Sequence, residues 1–291
     1  MSLINQTVLM SGPEYFSVLE LNPYSDQNNQ PDQSKSLQEF NAIKSALAQA
    51  GVEIIKVNAP KDCQDGIYTA NWAICRGNKA ILANLPNMRQ AETPYAQKIL
   101  QNLGKEIIEV PNNLKFSGQG DALACGNYLF MGSGYRTDPE VHDFVAKTLG
   151  YDVISLQTIP QVDGNNIPVI NKVTGWPDSF FYDIDLALSI LKLPTKNHNA
   201  LIAWCPDAFL LASQEKIRSL QDVDKIEVSF NEATQAYACN LVSTGKTVIM
   251  SAYAPELKAN IIEHGLKVIT PKIHELAKGG GYIRCTTLTL Q

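Results

Sequence analysis

The hydrophobic and polar positions of the chain repeat one pattern five times. In each repeat an amphipathic helical stretch is followed by a capping position, usually glycine, and then by a short run rich in β-branched residues. In the first repeat Leu37, Phe40, Ile43 and Leu47 follow helical spacing, and Gly51 lies where a left-handed helix cap is expected. The predicted cap-and-strand segments are residues 51–57, 104–110, 150–156, 224–230 and 265–269.

Repetition of one helix-and-strand unit favours a closed array, in which neighbouring units bury one another's apolar faces. Five units suggest pseudo-fivefold symmetry. The alternative is a doubly wound α/β sheet, because helices and strands alternate in that class as well. Its nucleotide-binding signature is missing, since Gly118-Gln119-Gly120 lacks a third glycine and leads into a predicted apolar strand over residues 122–131 rather than into a helix.

Composition excludes several classes of protein. With 291 residues, 45% hydrophobic and 18% charged, the chain is typical of a globular protein with one large or two smaller domains. A net charge of -5 without a basic cluster argues against nucleic acid as the main partner. The longest apolar stretch, residues 199–213, contains Pro206 and Asp207 and falls short of the about 20 residues that span a bilayer, so we expect no membrane segment.

The cysteines and the amino terminus bear on the compartment. The six cysteines show no paired short spacing, which disfavours both a disulfide framework and a structural zinc site. Residues 1–6 lack a basic region followed by an apolar run, so we expect no secretory signal. Together these features predict a cytoplasmic protein without a bound metal.

Cys285 is a candidate nucleophile. It follows three consecutive glycines, residues 279–281, and lies on an apparent strand. Glycines let a backbone approach a ligand closely, so this segment could deliver a thiol to the bottom of a pocket. The simpler interpretation is that a lone cysteine on a strand serves as a small buried hydrophobe.

Charged side chains in three other segments suggest a binding site. Asp121 could hold a cation and Arg136 an anion. Strand alternation would place Asp183 and Asp185 on one face of an apolar segment, and buried like charges are costly unless something positive lies between them, so this pair predicts a cationic ligand. Structural roles remain open for the other residues: Asp121 in a glycine turn, Arg136 in a surface ion pair and Asn71 as a loop cap.

In their order and spacing, these segments resemble the guanidine-modifying enzymes of the pentein fold, which include arginine deiminase, dimethylarginine dimethylaminohydrolase and the amidinotransferases. The resemblance covers nearly the whole chain and implies a five-bladed α/β propeller, with residues 1–291 as a single domain. The matching segments are Tyr68-Thr69-Ala70-Asn71, Gly120-Asp121-Ala122-Leu123, Gly134-Tyr135-Arg136-Thr137, residues 181–188, Cys239-Asn240 on a late helix, Gly279-Gly280-Gly281 and Cys285-Thr286.

The resemblance implies covalent catalysis on a small guanidino or amidino substrate, without a cofactor. A cysteine thiolate, here Cys285, attacks the guanidinium carbon, an amine leaves, and water or another amine resolves the thiouronium intermediate. Asp185 falls at the position of a carboxylate that grips guanidinium nitrogens, and Arg136 at that of an arginine that binds a substrate carboxylate. Asp121 and Asn71 fall among the residues around the same pocket. A homodimer is one candidate assembly.

Two positions depart from the family pattern. The family's catalytic histidine normally stands two residues before the position of Asp185, where this chain has Asp183, and an acidic residue is replaced by Ser117. An aspartate near Cys285 should raise the pKa of the thiol, although a bound guanidinium would offset this effect. Asp183 could then act as the proton shuttle if burial raises its pKa. The histidines themselves, which we interpret as structural or surface residues, are His142, His198, His264 and His274.

Three functions therefore remain open. The leading hypothesis is a cysteine-dependent hydrolase that acts on an arginine-like or methylarginine-like compound. The alternatives are a protein that binds an arginine-like ligand without turning it over, and an amidinotransferase.

Overall fold

We analysed a computed structural model of the chain, which describes residues 4–19, 25–111 and 113–291. The first half of the segment assessed for a secretory signal, residues 1–3, lies outside the described residues. The α-helices are α1 (Gln33–Gln49), α2 (Glu92–Asn102), α3 (Glu140–Leu149), α4 (Leu211–Ser219), α5 (Phe230–Gln235) and α6 (Pro255–Glu263). The strands are β1 (Thr7–Ser11), β2 (Glu53–Val57), β3 (Ala73–Arg76), β4 (Lys79–Leu82), β5 (Glu106–Ile108), β6 (Ala122–Cys125), β7 (Tyr128–Met131), β8 (Asp152–Ser155), β9 (Leu188–Lys192), β10 (Ala200–Trp204), β11 (Val223–Glu227), β12 (Val242–Ser243), β13 (Thr247–Ile249), β14 (Lys267–Ile269) and β15 (Leu288–Thr289).

The strands of the described residues form five three-stranded sheets with one shared topology. In each sheet the first two strands are antiparallel, and a helix then leads to a third strand parallel to the second, as in β3-β4-β5 with α2. The fifth sheet, β15-β1-β2, combines the two ends of the chain, with Leu9 opposite Leu288. The fold is therefore the pseudo-fivefold α/β propeller of the pentein class, closed by pairing of the last strand with the first.

The predicted repeat is confirmed in all five units. Each predicted strand segment overlaps the third strand of a sheet, and each follows a helix. The fourth segment is offset, since β11 begins at Val223 and Phe230 already belongs to α5. Gly51, Gly104, Gly150 and Gly265 adopt φ values of 85°, 78°, 71° and 76°, the left-handed caps that the pattern requires. In the first helix Phe40, Ile43 and Leu47 are buried as expected, whereas Leu37 is exposed.

Four local predictions were wrong. Residues 122–131 form a hairpin of β6 and β7 that turns at Gly126, not one strand. Cys285 lies in a turn before β15, and Cys239-Asn240 follow α5 rather than lying on it. The two aspartates lie at a 3₁₀ turn, Ile184–Leu186, before β9. In each case a short turn interrupts an apolar run, and apolar spacing over so few residues does not distinguish a turn from a strand.

These turns share one place in the repeat. In every sheet, a turn carrying a polar or thiol side chain ends one to three residues before the first strand. Because the five units are arranged around one axis, equivalent turns converge there. The converging residues are Asn71, Asp121, Asp185, Asn240 and Cys285.

We expect ring closure to depend on β15. Leu288 is fully buried between the first and last units, so Leu288→Ala should lower the free energy of unfolding by about 2–5 kcal/mol in chemical denaturation. Leu211→Ala, at an exposed position of α4, is the matched control and should change stability by less than about 0.5 kcal/mol. Equal effects of the two substitutions would show that β15 does not hold the ring closed.

Candidate active site

Hydrogen bonds link the five turns into a closed ring, which we call the axial ring. The Asn71 Nδ2 donates to the carbonyl of Ser117 (3.1 Å), and Ile184 N donates to Asp121 Oδ1 (2.8 Å). The last three links run from Asn240 Nδ2 to the Asp185 carbonyl (3.4 Å), from Cys285 N to Asn240 Oδ1 (3.2 Å), and from Ala70 N to the Cys285 carbonyl (3.0 Å). Residues distant in sequence are thereby held in fixed relation to the thiol.

The Cys285 thiol lies between an amide and a carboxylate. Asn240 Nδ2 donates to Sγ at 3.2 Å, and Sγ lies 3.5 Å from Asp185 Oδ2. Burial, followed by the Asp185 carboxylate, raises the pKa of the thiol well above its ordinary value. A raised pKa favours the protonated thiol, which is a poorer nucleophile than the thiolate.

The glycine run before Cys285 permits a close approach, though to a side chain. The backbone at Gly279 and Gly281 packs so closely on the Tyr68 side chain that neither position has room for a Cβ. Tyr68 in turn donates from its hydroxyl to the Leu276 carbonyl. The missing Cβ atoms therefore let this segment pass close to Tyr68 before it reaches Cys285.

Asp185 is the most poorly satisfied acid in the site. It is fully buried, and Oδ1 has no hydrogen-bond partner among the described residues. Burial, followed by the nearby Asp183, raises the pKa of Asp185 well above its ordinary value. A buried carboxyl oxygen without a donor is costly, so this atom is suited to accept from a ligand.

Asp183 is held on three sides. Its Oδ1 accepts from Ser117 Oγ at 2.6 Å, and its Oδ2 accepts from Asn71 Nδ2 at 2.8 Å. Arg136 NH1 lies 3.6 Å from Oδ2, and the Arg136 guanidinium stacks on the Tyr182 ring at 3.9 Å from the centroid. The two residues that depart from the family pattern, Asp183 and Ser117, therefore bond directly to each other.

Asp121 links its turn to two other segments. Its two oxygens accept from Ile184 N and, at 2.6 Å, from Thr137 Oγ1, so its role is structural, but neither donor belongs to the glycine turn. Burial, followed by Asp183, raises the pKa of Asp121 to about 8. Asp121, Asp183 and Asp185 thus form a cluster of buried acids whose full ionisation would be unfavourable.

The sequence motifs gave no indication that Arg89 contributes to the site. Its NH1 donates to Asn71 Oδ1 at 2.9 Å, while NH2 and Nε donate to the Glu92 carboxylate, both at 2.8 Å. The arginine is almost fully buried and is held by its ion pair with Glu92. Its hydrogen bond to Oδ1 therefore orients the Asn71 side chain. The sequence did carry a signal for this ion pair, since Arg89 and Glu92 are three residues apart at the start of α2.

The structure thus brings together Cys285, Asp185, Asp183, Ser117 and Asn71, with Arg136 on the outer side of Asp183. Among the histidines, His142 is buried and bonds to Ser155 Oγ and the Gly132 carbonyl. The other three histidines are exposed. In the described part of the chain, no group of three or more His, Cys, Asp or Glu side chains is arranged to hold a metal ion.

None of the helices that the structure describes has the length and apolar character needed to cross a membrane. All six cysteines are free and buried.

Solved structures with the same fold are guanidine-modifying enzymes. A variant of the N-terminal domain of ArgZ, covalently bound to a reaction intermediate, matches with a TM-score of 0.83 and 25% identity over 98% of this chain and 97% of that domain. Dimethylarginine dimethylaminohydrolase from Pseudomonas aeruginosa, complexed with citrulline, matches with a TM-score of 0.72 over 98% and 99% of the two chains. Its identity of 20% supports the fold alone. The class is the pentein-fold guanidine-modifying superfamily.

The chain belongs to the family described as N,N dimethylarginine dimethylhydrolase, eukaryotic, whose sequence model matches residues 20–169. It is 27% identical to N(G),N(G)-dimethylarginine dimethylaminohydrolase of Mycobacterium tuberculosis over 97% of this chain and 84% of that protein. It is 26% identical to the bifunctional arginine dihydrolase/ornithine cyclodeaminase ArgZ of Synechocystis sp. over 97% of this chain. The match spans 37% of the length of ArgZ.

The raised pKa of Asp121 should make stability depend on pH. The folded protein keeps this proton up to about pH 8, whereas the ordinary value is 3.8, so the folded state binds more protons between about pH 4 and 8. The contribution of Asp121 to the free energy of unfolding is therefore full below pH 4 and is lost as pH rises towards 8, at up to about 1.4 kcal/mol per pH unit.

Urea denaturation between pH 5 and 7.5 tests this prediction. Asp121→Asn, which resembles the protonated acid, should lose less stability with rising pH than the wild type. Asp207→Asn removes an exposed acid and should keep the wild-type slope. The same slope in all three proteins would mean that Asp121 is ionised in the folded state across this range.

Proposed function

We propose that the protein is a cysteine-dependent hydrolase that acts on a small guanidino or amidino compound, such as arginine or a methylarginine. The names of its relatives support this class, since they include an arginine dihydrolase and dimethylarginine dimethylaminohydrolases. The observation that carries the proposal is the buried, unpartnered Oδ1 of Asp185, on the carboxylate whose other oxygen lies 3.5 Å from the Cys285 thiol. A planar cation with several N–H donors satisfies this atom and places its central carbon next to sulfur.

Charge explains why a guanidinium ligand activates the site. Asp183 and Asp185 both disfavour ionisation of Cys285 in the ligand-free protein. A bound cation between the acids and the thiol reverses this effect, because it stabilises the ionised carboxylate and the thiolate together. The nucleophile is then formed only when a suitable substrate is present.

The reaction proceeds in two stages. The Cys285 thiolate attacks the guanidinium carbon and forms a C–S bond; the C–N bond to the leaving amine then breaks as that nitrogen takes up a proton. Water adds to the resulting thiouronium carbon, and the C–S bond breaks to release a neutral urea product and regenerate the thiolate. Two protons are lost in this stage, one to the group that protonated the leaving amine and one to solvent. One group must therefore give a proton and later accept one.

We assign this proton transfer to Asp183, which occupies the position of the family's histidine. Ser117 and Asn71 orient its carboxylate, and Arg136 supplies positive charge 3.6 Å away. Arg136 is also the proposed partner of a carboxylate on the substrate's tail, since its guanidinium lies on the outer side of Asp183 against Tyr182. Asp121 and Asn71 support the pocket by fixing its turns.

A second function is a binding protein without turnover. It is favoured by the raised pKa of Cys285 and by the hydrogen bonds that already occupy both oxygens of Asp183. Assay of arginine and dimethylarginine for a urea product, with Cys285→Ser as the blank, separates the two functions. Transfer of the amidino group to an added amine would instead identify an amidinotransferase.

Chloroacetamidine should label Cys285 and none of the other five cysteines, as judged by mass spectrometry of peptides. Asp185→Asn removes the carboxyl group that ionises to pair with the amidinium and should slow labelling roughly 30-fold, which corresponds to about 2 kcal/mol. The neutral analogue chloroacetamide is the control and should label both proteins at similar rates. If the amidine reacts no faster than the neutral analogue with the wild type, Asp185 does not form a cation site.

The role of Asp183 can be tested by restoring the family pattern. Asp183→His combined with Ser117→Glu should create or raise hydrolysis of guanidino substrates near neutral pH, because imidazole both supports the thiolate and protonates the leaving amine. Asp183→Asn should abolish turnover while leaving ligand affinity nearly unchanged. A wild type that turns over faster than the restored variant would show that the aspartate is suited to a distinct chemistry.

A further inference from the structure

A cavity of about 210 Å³ is lined by residues of β3, β6, β9 and β15 and by the residue before β12. Gln119 and Arg284, from two turns of the axial ring, also line it. Gln291, at its edge, is exposed. At about 30 Å³ per molecule, the cavity has room for about seven waters.

A single charged side chain, Arg284, is among the described residues that line this cavity. Arg284 is largely buried, at 8% exposure, yet it forms no salt bridge with any carboxylate in the described part of the chain. Its NH1 donates to the Thr287 carbonyl and Oγ1, and its NH2 donates to Gln119 Oε1 (2.9 Å). These acceptors are neutral. Asp185 acts on the buried positive charge electrostatically, but among the described residues no carboxylate pairs with the guanidinium directly.

A second polar group in the cavity wall also lacks a partner. Ser189 on β9 is 4% exposed, and its Oγ forms no hydrogen bond with any described residue. Most of the remaining wall is apolar and includes Ile74, Leu123, Leu193 and Leu241. The cavity thus combines one buried cation and one unpartnered hydroxyl with an aliphatic surface.

We infer that this cavity is a second ligand site, distinct from the site at Cys285, and that it binds a small monocarboxylate with a branched aliphatic body. The carboxylate would neutralise Arg284 and accept from the Ser189 hydroxyl, which satisfies both buried groups. The aliphatic body would cover the leucine and isoleucine side chains. An inorganic anion fits less well, because it leaves the apolar wall exposed to water. The inference does not depend on the proposed hydrolase function.

Calorimetry with 4-methylpentanoate on the full chain tests this site directly. We expect saturable binding, and binding at least tenfold weaker for the neutral 4-methylpentanamide, since the amide cannot pair with Arg284. Ala124→Leu fills the cavity from β6 and should weaken carboxylate binding at least tenfold. Ala48→Leu, on the exposed side of α1, is the matched control and should leave binding unchanged.

Ser189→Ala provides a second variant that keeps the cavity open. Loss of one hydrogen bond should weaken binding of the carboxylate roughly threefold to tenfold. The site is disproved if 4-methylpentanoate gives no saturable heat, if the amide binds as tightly as the acid, or if the folded Ala124→Leu protein binds like the wild type. Because none of these measurements uses Cys285, a failure here is distinct from a failure of the proposed hydrolase.

Discussion

The structure depends on the axial ring, the closed series of hydrogen bonds between five turns. Each turn precedes the first strand of a sheet, which is β3, β6, β9, β12 or β15. Each turn has buried polar groups that need hydrogen-bond partners, and neighbouring turns supply them, as when Asn240 accepts from the backbone of Cys285. The ring closes through Ala70 and Cys285 just as the sheets close through β1 and β15. Closure of the fold and geometry of the site are therefore one constraint.

Burial of Asp183 and Asp185 inside the axial ring makes their ionised forms unfavourable, and the two residues are stabilised to different extents. Asp183 is satisfied by Ser117 and Asn71, and Arg136 lies beside it. Asp185 has one oxygen without a hydrogen-bond partner and a raised pKa, so its ionised form is unfavourable at a position next to the thiol. Under the proposed function, a cationic ligand removes this cost, so its binding is coupled to activation of the nucleophile. Buried networks of this kind are unfavourable when only partly satisfied, and this is why the unpartnered atom marks the site.

Arg284 adjoins both the thiol site and the cavity. It is the chain neighbour of Cys285, its positive charge acts on Asp185, and its guanidinium also lines the cavity. A charge placed in that cavity acts on the same arginine. The thiol site and the cavity thus share one buried cation.

The sequence by itself determined the repeat and the family. Helical spacing and glycine caps such as Gly51 and Gly104 are local, so they were visible without a structure, and the order of the motifs identified Cys285, Asp183 and Asp185 as a set. Only the tertiary structure decided that these residues lie in turns, that Arg89 fixes Asn71, and that Ser117 bonds to Asp183. These facts arise from contacts between residues tens of positions apart. Short turns and short strands have the same spacing of apolar residues, so the sequence does not distinguish them. Hydrogen bonds between residues far apart in the chain produce no periodic pattern in the sequence.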